Sequence, residues 1–135
     1  MNADKAFFDT NILIYSFSSG ETRQGTALGL LLAGGIVSIQ CLNEFAAVTS
    51  RKLKKPWLEV KSRLDTIRQL CEPPVPLTVA IHDRGLQIAQ VTGYHIYDCF
   101  MLASALEANC TVFYTEDLHH GHKLGDLTIR NPFKR

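Results

Sequence analysis

Two short apolar runs in this chain stop on acids, and helical patterns fill most of the sequence between them. Phe7 and Phe8 lead into Asp9, followed by Thr10 and Asn11. Thr111-Val112-Phe113-Tyr114-Thr115, rich in β-branched and aromatic residues, runs straight into Glu116 and Asp117. Both read as strands. Strands alternating with helices predict an α/β domain with a mainly parallel sheet and right-handed crossovers. Ligands of such sheets bind beyond the strands' carboxyl ends, where the strand order reverses. Acids at two strand ends therefore point to that edge.

Two further acids occupy helix positions where an apolar residue is expected. Along Cys41 to Val48, the spacing i, i+3, i+4, i+7 selects Cys41, Glu44, Phe45 and Val48. These share one inward face of a helix. The same template beginning at Asp98 selects Asp98, Met101, Leu102 and Ala105. A lone carboxylate taken out of water costs several kcal/mol unless it is paired, protonated or bound to a cation. Two such insertions in one small chain predict a shared cation. If the strands are neighbours, Asp9, Glu44, Asp98, Glu116 and Asp117 meet in one crevice.

The chain's 135 residues predict a single domain, residues 1–135, with one sizeable core. A hydrophobic fraction of 46% and a charged fraction of 20% fit an ordinary globular protein. The net charge of +1 gives no whole-molecule pull on a polyanion, so any nucleic-acid contact must come from local patches. The longest apolar run, Ala27 to Ile39, is broken by Gly29, Gly34 and Gly35 and falls short of a membrane span of roughly 20 residues. With no apolar signal core at the start, a cytoplasmic location is expected. Cys41, Cys71, Cys99 and Cys110 lack zinc or CxxC spacing and read as small hydrophobes in a reducing compartment.

The predicted order begins with a strand near residues 5–9, a helix or turn over 11–16, and a helix over 24–33. A buried strand over 36–39 precedes the Glu44 helix, which runs to about Leu53. Pro56 opens a helix with Trp57, Val60, Leu64, Ile67 and Cys71 along its inward stripe, ending before Pro73-Pro74. A short strand over 75–79, weakened by Pro76, comes next. The helix over 81–92 turns Ile81, Ile88 and Ala89 inward and is capped by Gly93. The Asp98 helix reaches about Asn109, and a last strand covers 127–129.

Taken together, Phe8-Asp9-Thr10-Asn11, Leu42-Asn43-Glu44-Phe45, Tyr97-Asp98-Cys99-Phe100 and Tyr114-Thr115-Glu116-Asp117-Leu118 resemble the PIN-domain family, most of all its VapC-type toxins. The resemblance covers nearly the whole chain in order and spacing. It implies a three-layer α/β/α sandwich, a Mg²⁺- or Mn²⁺-dependent endoribonuclease, a homodimer, and a small antitoxin partner that inhibits it. By motif, Asp9, Glu44 and Asp98 would be the three core acids, with Asp117 as the fourth and Glu116 beside it. Thr10 and Asn11 would orient Asp9. Cys99 stands where the family often has Ala, which should alter packing rather than chemistry.

The chemistry suits the residues. Mg²⁺ prefers oxygen ligands in octahedral geometry, so carboxylates without paired His or Cys favour Mg²⁺ or Mn²⁺ over zinc or copper. The expected reaction is in-line attack of an activated water on a phosphodiester, with no covalent protein intermediate. Each residue also has a plainer reading. Asp9 would suit a strand-end turn, Asn11 an Asx turn, Glu44 the first-turn dipole, Asp98 an N-cap, and the two loop acids a solvated surface. His119, His120 and His122 read as a flexible solvated loop beside the site, and Arg51-Lys52-Leu53-Lys54-Lys55 as a solvated helix end whose alternative is an RNA-backbone contact. Two other function classes compete: an aspartyl-nucleophile phosphohydrolase using Asp9, and a non-catalytic binding module on the same fold.

Overall fold

The computed structural model describes residues 4–134. The chain begins with β1 (Ala6–Phe8), α1 (Thr10–Ser16), α2 (Gln24–Ala33), α3 (Ile39–Arg51) and α4 (Trp57–Leu70). It continues with α5 (Val79–Thr92), α6 (Ile96–Glu107), β2 (Val112–Tyr114), β3 (Lys123–Leu124) and β4 (Leu127–Arg130). The strand order is β1-β2-β4-β3. β1 pairs in parallel with β2, β2 in parallel with β4, and β3 joins β4 as an antiparallel edge. This is the expected α/β/α arrangement with a mainly parallel sheet. Placing β1 directly beside β2 aligns Phe8 with Tyr114, so Asp9 and Thr115 leave the sheet side by side.

Strands β1 and β2 lie in the core because they are apolar on both faces, whereas β4 turns Thr128 and Arg130 outward. Phe7 stacks on Phe113 with ring centroids 5.2 Å apart, and both are fully buried. Around them pack Leu13 of α1, Leu31 of α2, Phe45 of α3 and Leu102 of α6, all fully buried. Helix α3 owes its start to Ser38, whose hydroxyl accepts from the Cys41 amide. Gly93 closes α5 in the left-handed conformation at φ 75°, as its place after Thr92 predicts. Cys41, Cys99 and Cys110 are free and buried, with Cys71 free and half-buried.

Several expectations require correction. Residues 36–39 do not form a full strand: Ile36 bridges Phe7, Ser38 bridges Val75, and Ile39 already begins α3. Gly35 permits this close approach, since a Cβ there would lie 2.6 Å from the Phe8 ring. The strand proposed for 75–79 reduces to the Val75 bridge. Prolines 73, 74 and 76 supply no ladder N–H, and Thr78 instead caps α5 by accepting from the Ile81 amide at 3.1 Å. Trp57 leaves its predicted inward stripe: it is the first residue of α4 and is 69% exposed, whereas Val60 and Ile67 farther along the stripe are buried. The hairpin strand β3, turned at Gly125 with φ 59°, had no clear apolar pattern to announce it.

The histidine loop is exposed but tied down. Gly121 donates its amide to the Ile129 carbonyl at 2.7 Å, and Ile129 donates to the His122 carbonyl at 2.8 Å. His120 Nδ1 accepts from the Asn131 amide at 2.9 Å, and His122 Nδ1 shares a 2.7 Å hydrogen bond with the Tyr94 hydroxyl. The His120 and His122 side chains therefore tie the loop to the residues that follow β4 and α5.

Candidate active site

Asp9 ends β1 and caps α1, so the strand delivers its carboxylate to the sheet's C-terminal edge and the helix amides hold it there. It is only 3% exposed. One oxygen accepts from the Thr10 amide at 2.6 Å, and the other from the Thr115 hydroxyl at 2.6 Å. Thr115 is itself fully buried and follows β2, the neighbouring parallel strand. Its hydroxyl also accepts from the Asp117 amide at 3.1 Å, which sets the turn that presents Asp117.

The other acids arrive from separate elements. Glu44 lies in the second turn of α3, beyond the reach of a first-turn dipole role, and Gln40 one turn earlier donates to it at 2.7 Å. Thr10 makes a longer contact of 3.5 Å with the same carboxylate. Asp98 lies in the first turn of α6, half-buried. The N-cap role falls to His95, whose Nδ1 accepts from the Tyr97 amide at 3.3 Å, leaving the Asp98 carboxylate uncommitted to capping. Asn11 joins two acids: its Nδ2 donates to Asp117 at 2.8 Å and reaches Asp9 at 3.5 Å.

Electrostatic coupling links four of these acids. Burial, then the nearby charges of Asp98 and Asp117, push the Asp9 pKa up to about 7 against the lowering effect of its two hydrogen bonds. Asp98 is raised by burial and by the charges of Glu44 and Asp117, with His95 opposing. Carboxylates that raise one another in this way lack a counter-charge. Asn11 Oδ1 adds a buried oxygen without a hydrogen-bond partner. Among the described residues, no group of three or more His, Cys, Asp and Glu side chains is already closed into a metal-holding geometry. The donor chemistry nevertheless fits a hard divalent cation: carboxylate oxygens, an orphaned amide oxygen, and uncompensated negative charge.

Glu116 is placed differently. Arg23 Nη1 donates to its two oxygens at 2.8 and 2.7 Å, and the Tyr15 hydroxyl donates at 2.6 Å. The Arg23 guanidinium also lies 4.2 Å over the Tyr15 ring and donates from Nε to Glu21 at 2.8 Å. Burial works to raise the Glu116 pKa, but the Tyr15 and Arg23 contacts outweigh it and hold it below the usual range. Its carboxylate is thus occupied outside the shared space of the other four.

A family model for the PIN domain matches residues 6–123. The chain belongs to the PIN-domain family. No curated protein sequence matches it significantly. In fold, this PIN domain is similar to a chain from a toxin–antitoxin complex of Klebsiella pneumoniae, with a TM-score of 0.72, 20% identity, and coverage of 97% of this chain and 100% of that one. It is similar to VapC20 of Mycobacterium tuberculosis, a sarcin–ricin loop cleaving toxin, at TM-score 0.67 and 17% identity over 84% and 92% of the two chains. It is also similar to VapBC2 of Rickettsia felis, solved bound to a DNA fragment from its promoter, at TM-score 0.68 and 17% identity over 93% and 97%.

Sequence reasoning missed four residues at or around the candidate site: Thr115, Gln40, Arg23 and Tyr15. Thr115 had a findable signal, because it follows β2 as Asp9 follows β1, and aligned parallel strands bring such positions together. Gln40 is four residues before Glu44, the spacing of helical neighbours. Arg23 and Tyr15 carried no local signal, since their partner lies about a hundred residues away in the chain.

Proposed function

We propose that this PIN domain is a Mg²⁺-dependent endoribonuclease, with Mn²⁺ able to substitute, acting as the toxin of a toxin–antitoxin pair. The observation that carries the reading is Asp9, buried at the sheet edge, with Asn11 reaching from it to Asp117 and its neighbour Thr10 reaching to Glu44. Asp9, Glu44, Asp98 and Asp117 would hold the cation. When bound, Mg²⁺ would neutralise these charges, polarise the scissile phosphate and acidify a water for attack. Thr115 and the Thr10 amide keep Asp9 in one orientation, and Asn11 sets the spacing between Asp9 and Asp117. Gln40 and Thr10 steady Glu44. Glu116 acts from outside, anchoring through Arg23 the turn that carries Asp117.

The antitoxin partner belongs to this proposal, supported by the fold-level likeness to toxin–antitoxin structures, and the homodimer belongs to it as what the family resemblance implies. A phospho-enzyme on Asp9 has less support, because the carboxylate is almost wholly buried with both oxygens engaged. The test is an RNA cleavage assay with Mg²⁺, with Mn²⁺ and with EDTA, comparing wild type, Asp9→Asn and Asp98→Asn. Metal-dependent cleavage by wild type, absent from both variants, is expected. Wild-type activity that persists in EDTA would sink the metal reading, and a covalent phosphate trapped on Asp9 would replace it.

A further inference from the structure

The connection between α3 and α4 carries the chain's densest positive charge, and the proposed site has no use for it. Arg51, Lys52, Lys54 and Lys55 fall within five residues and all are exposed. With 14 basic and 13 acidic residues in the chain, these four alone turn a balance of −3 into +1. Among the described residues none of the four takes part in an ion pair, whereas Lys61 and Arg63 just beyond them are paired within α4. Complementing the α3 dipole needs only charge in its last turn, which Arg51 supplies. Three further cations lie past it.

The segment is held in a defined shape. Leu53 donates its amide to the Val48 carbonyl and Lys55 donates to the Thr49 carbonyl, each at 3.1 Å. Lys54 sits in the left-handed region at φ 55°. Directly after the cations come Trp57, 69% exposed, and Leu58, 84% exposed. An uncovered indole beside unpaired cations is the combination that binds single-stranded nucleic acid, the cations tracking phosphates and the ring stacking on a base. The first of the cations also shares a helix with one of the acids. Glu44 and Arg51 are seven residues apart on α3, hence on the same helix face and about 10 Å apart along the axis.

We propose that the Arg51–Lys55 run and Trp57 form a docking surface for single-stranded RNA, feeding a strand towards Glu44. This inference rests on the ribonuclease reading and deepens it, because it supplies the attraction for a polyanion that the acidic site itself repels. A protein partner would explain the exposed Trp57 and Leu58 but not the concentration of unpaired positive charge beside them.

The chain's single tryptophan makes the test direct, because its fluorescence reports on Trp57 alone. Full-length protein, as wild type in EDTA and as Asp9→Asn with Mg²⁺, is titrated with oligo(U) and oligo(A) RNA across a range of salt. Quenching of Trp57 is expected with both. The quadruple variant with Arg51, Lys52, Lys54 and Lys55 changed to Gln should bind about tenfold more weakly or worse. Its log–log salt dependence should become shallower by about 0.7 per cation removed. Trp57→Ala should weaken binding roughly tenfold, and Trp57→Phe should restore much of it. With patch variants in the otherwise wild-type enzyme, cleavage should show a raised KM and a preserved kcat. Unquenched Trp57 together with unchanged affinity and salt slope overturns the proposal. So does a quadruple variant that binds RNA normally but alters its oligomeric state, which would make the patch a protein contact. If the wild type neither binds nor cleaves RNA, the nuclease reading falls as well. If it cleaves while the variants bind normally, only the patch falls.

Discussion

Glu116 and Asp117 are adjacent in sequence and opposite in circumstance. Glu116 meets a guanidinium and a phenol, and its pKa is held below the usual carboxylate range. Asp117 turns the other way, to Asn11 and to the neighbourhood of Asp9 and Asp98, where no cation among the described residues pairs with it and its charge helps raise both neighbours. In the first cluster a cation already answers the acid, and the pair serves as a brace. The second is unbalanced, and imbalance is what a divalent ion or a proton would relieve. Like-charged groups gathered without partners cost stability, so their presence in a folded chain points to a ligand that completes them.

The sharpest way to break this contrast is to remove an acid from the unbalanced side. Asp9→Asn and Asp98→Asn should each lower metal-dependent RNA cleavage by about a thousandfold or more, as expected when several kcal/mol of metal-mediated stabilisation is lost. Glu116→Gln should keep most of the cleavage rate. A Glu116→Gln variant as dead as Asp9→Asn would erase the distinction between the two clusters.

Acidity provides a second test. Asp9 titrates near 3.8 as an ordinary carboxyl and near about 7 in the folded chain, so the folded state holds the proton more tightly than the unfolded one. That contribution to stability is full below pH ~3.8 and is lost as pH rises through about 7, a change on the order of 4 kcal/mol. Urea melts in EDTA should therefore show Asp9→Asn losing less stability than wild type over that range, and Mg²⁺ should offset the wild-type loss at the upper end. Glu21 behaves in the opposite sense. Its hydrogen bonds to Arg23 hold its pKa at about 2, so its contribution is present above pH ~4.5 and disappears as pH falls towards 2.

Smaller effects belong to the groups that hold the acids. Thr115→Val removes the hydroxyl donor from buried Asp9 and should cost about 1–3 kcal/mol by chemical denaturation, with cleavage reduced as well. Arg23→Gln acts on the partly exposed cluster around Glu116, where solvent weakens each ion pair, and should cost about 1 kcal/mol or less. Its more telling readout is Mn²⁺ affinity measured by calorimetry. With Glu116 released and the Asp117 turn loosened, affinity should fall severalfold. Unchanged affinity would mean that the brace does not position Asp117.

Much of the fold was legible because its periodicities are local. The helix over 24–33 was readable to the residue, the Gly93 cap from one glycine after an apolar stripe, and the inward faces of Glu44 and Asp98 from helical spacing. The failures have local causes too. Residues 75–79 read as a strand because Val75, Leu77 and Val79 are apolar, but a ladder needs an amide donor that Pro76 lacks. Trp57 fitted its helix stripe, yet whether a stripe is covered depends on where the neighbouring helices end.

By itself, the order of residues determined that this chain would be an α/β domain with acids at two strand ends and on two inward helix faces, because strand and helix periods are set by neighbours a few positions away. Only the tertiary structure decided that β1 lies beside β2, bringing Thr115 to Asp9, and that Arg23 takes Glu116 while Asp117 goes to Asn11. Those pairings join positions about a hundred residues apart, and packing of the whole core, not any nearby pattern, sets which distant side chains meet.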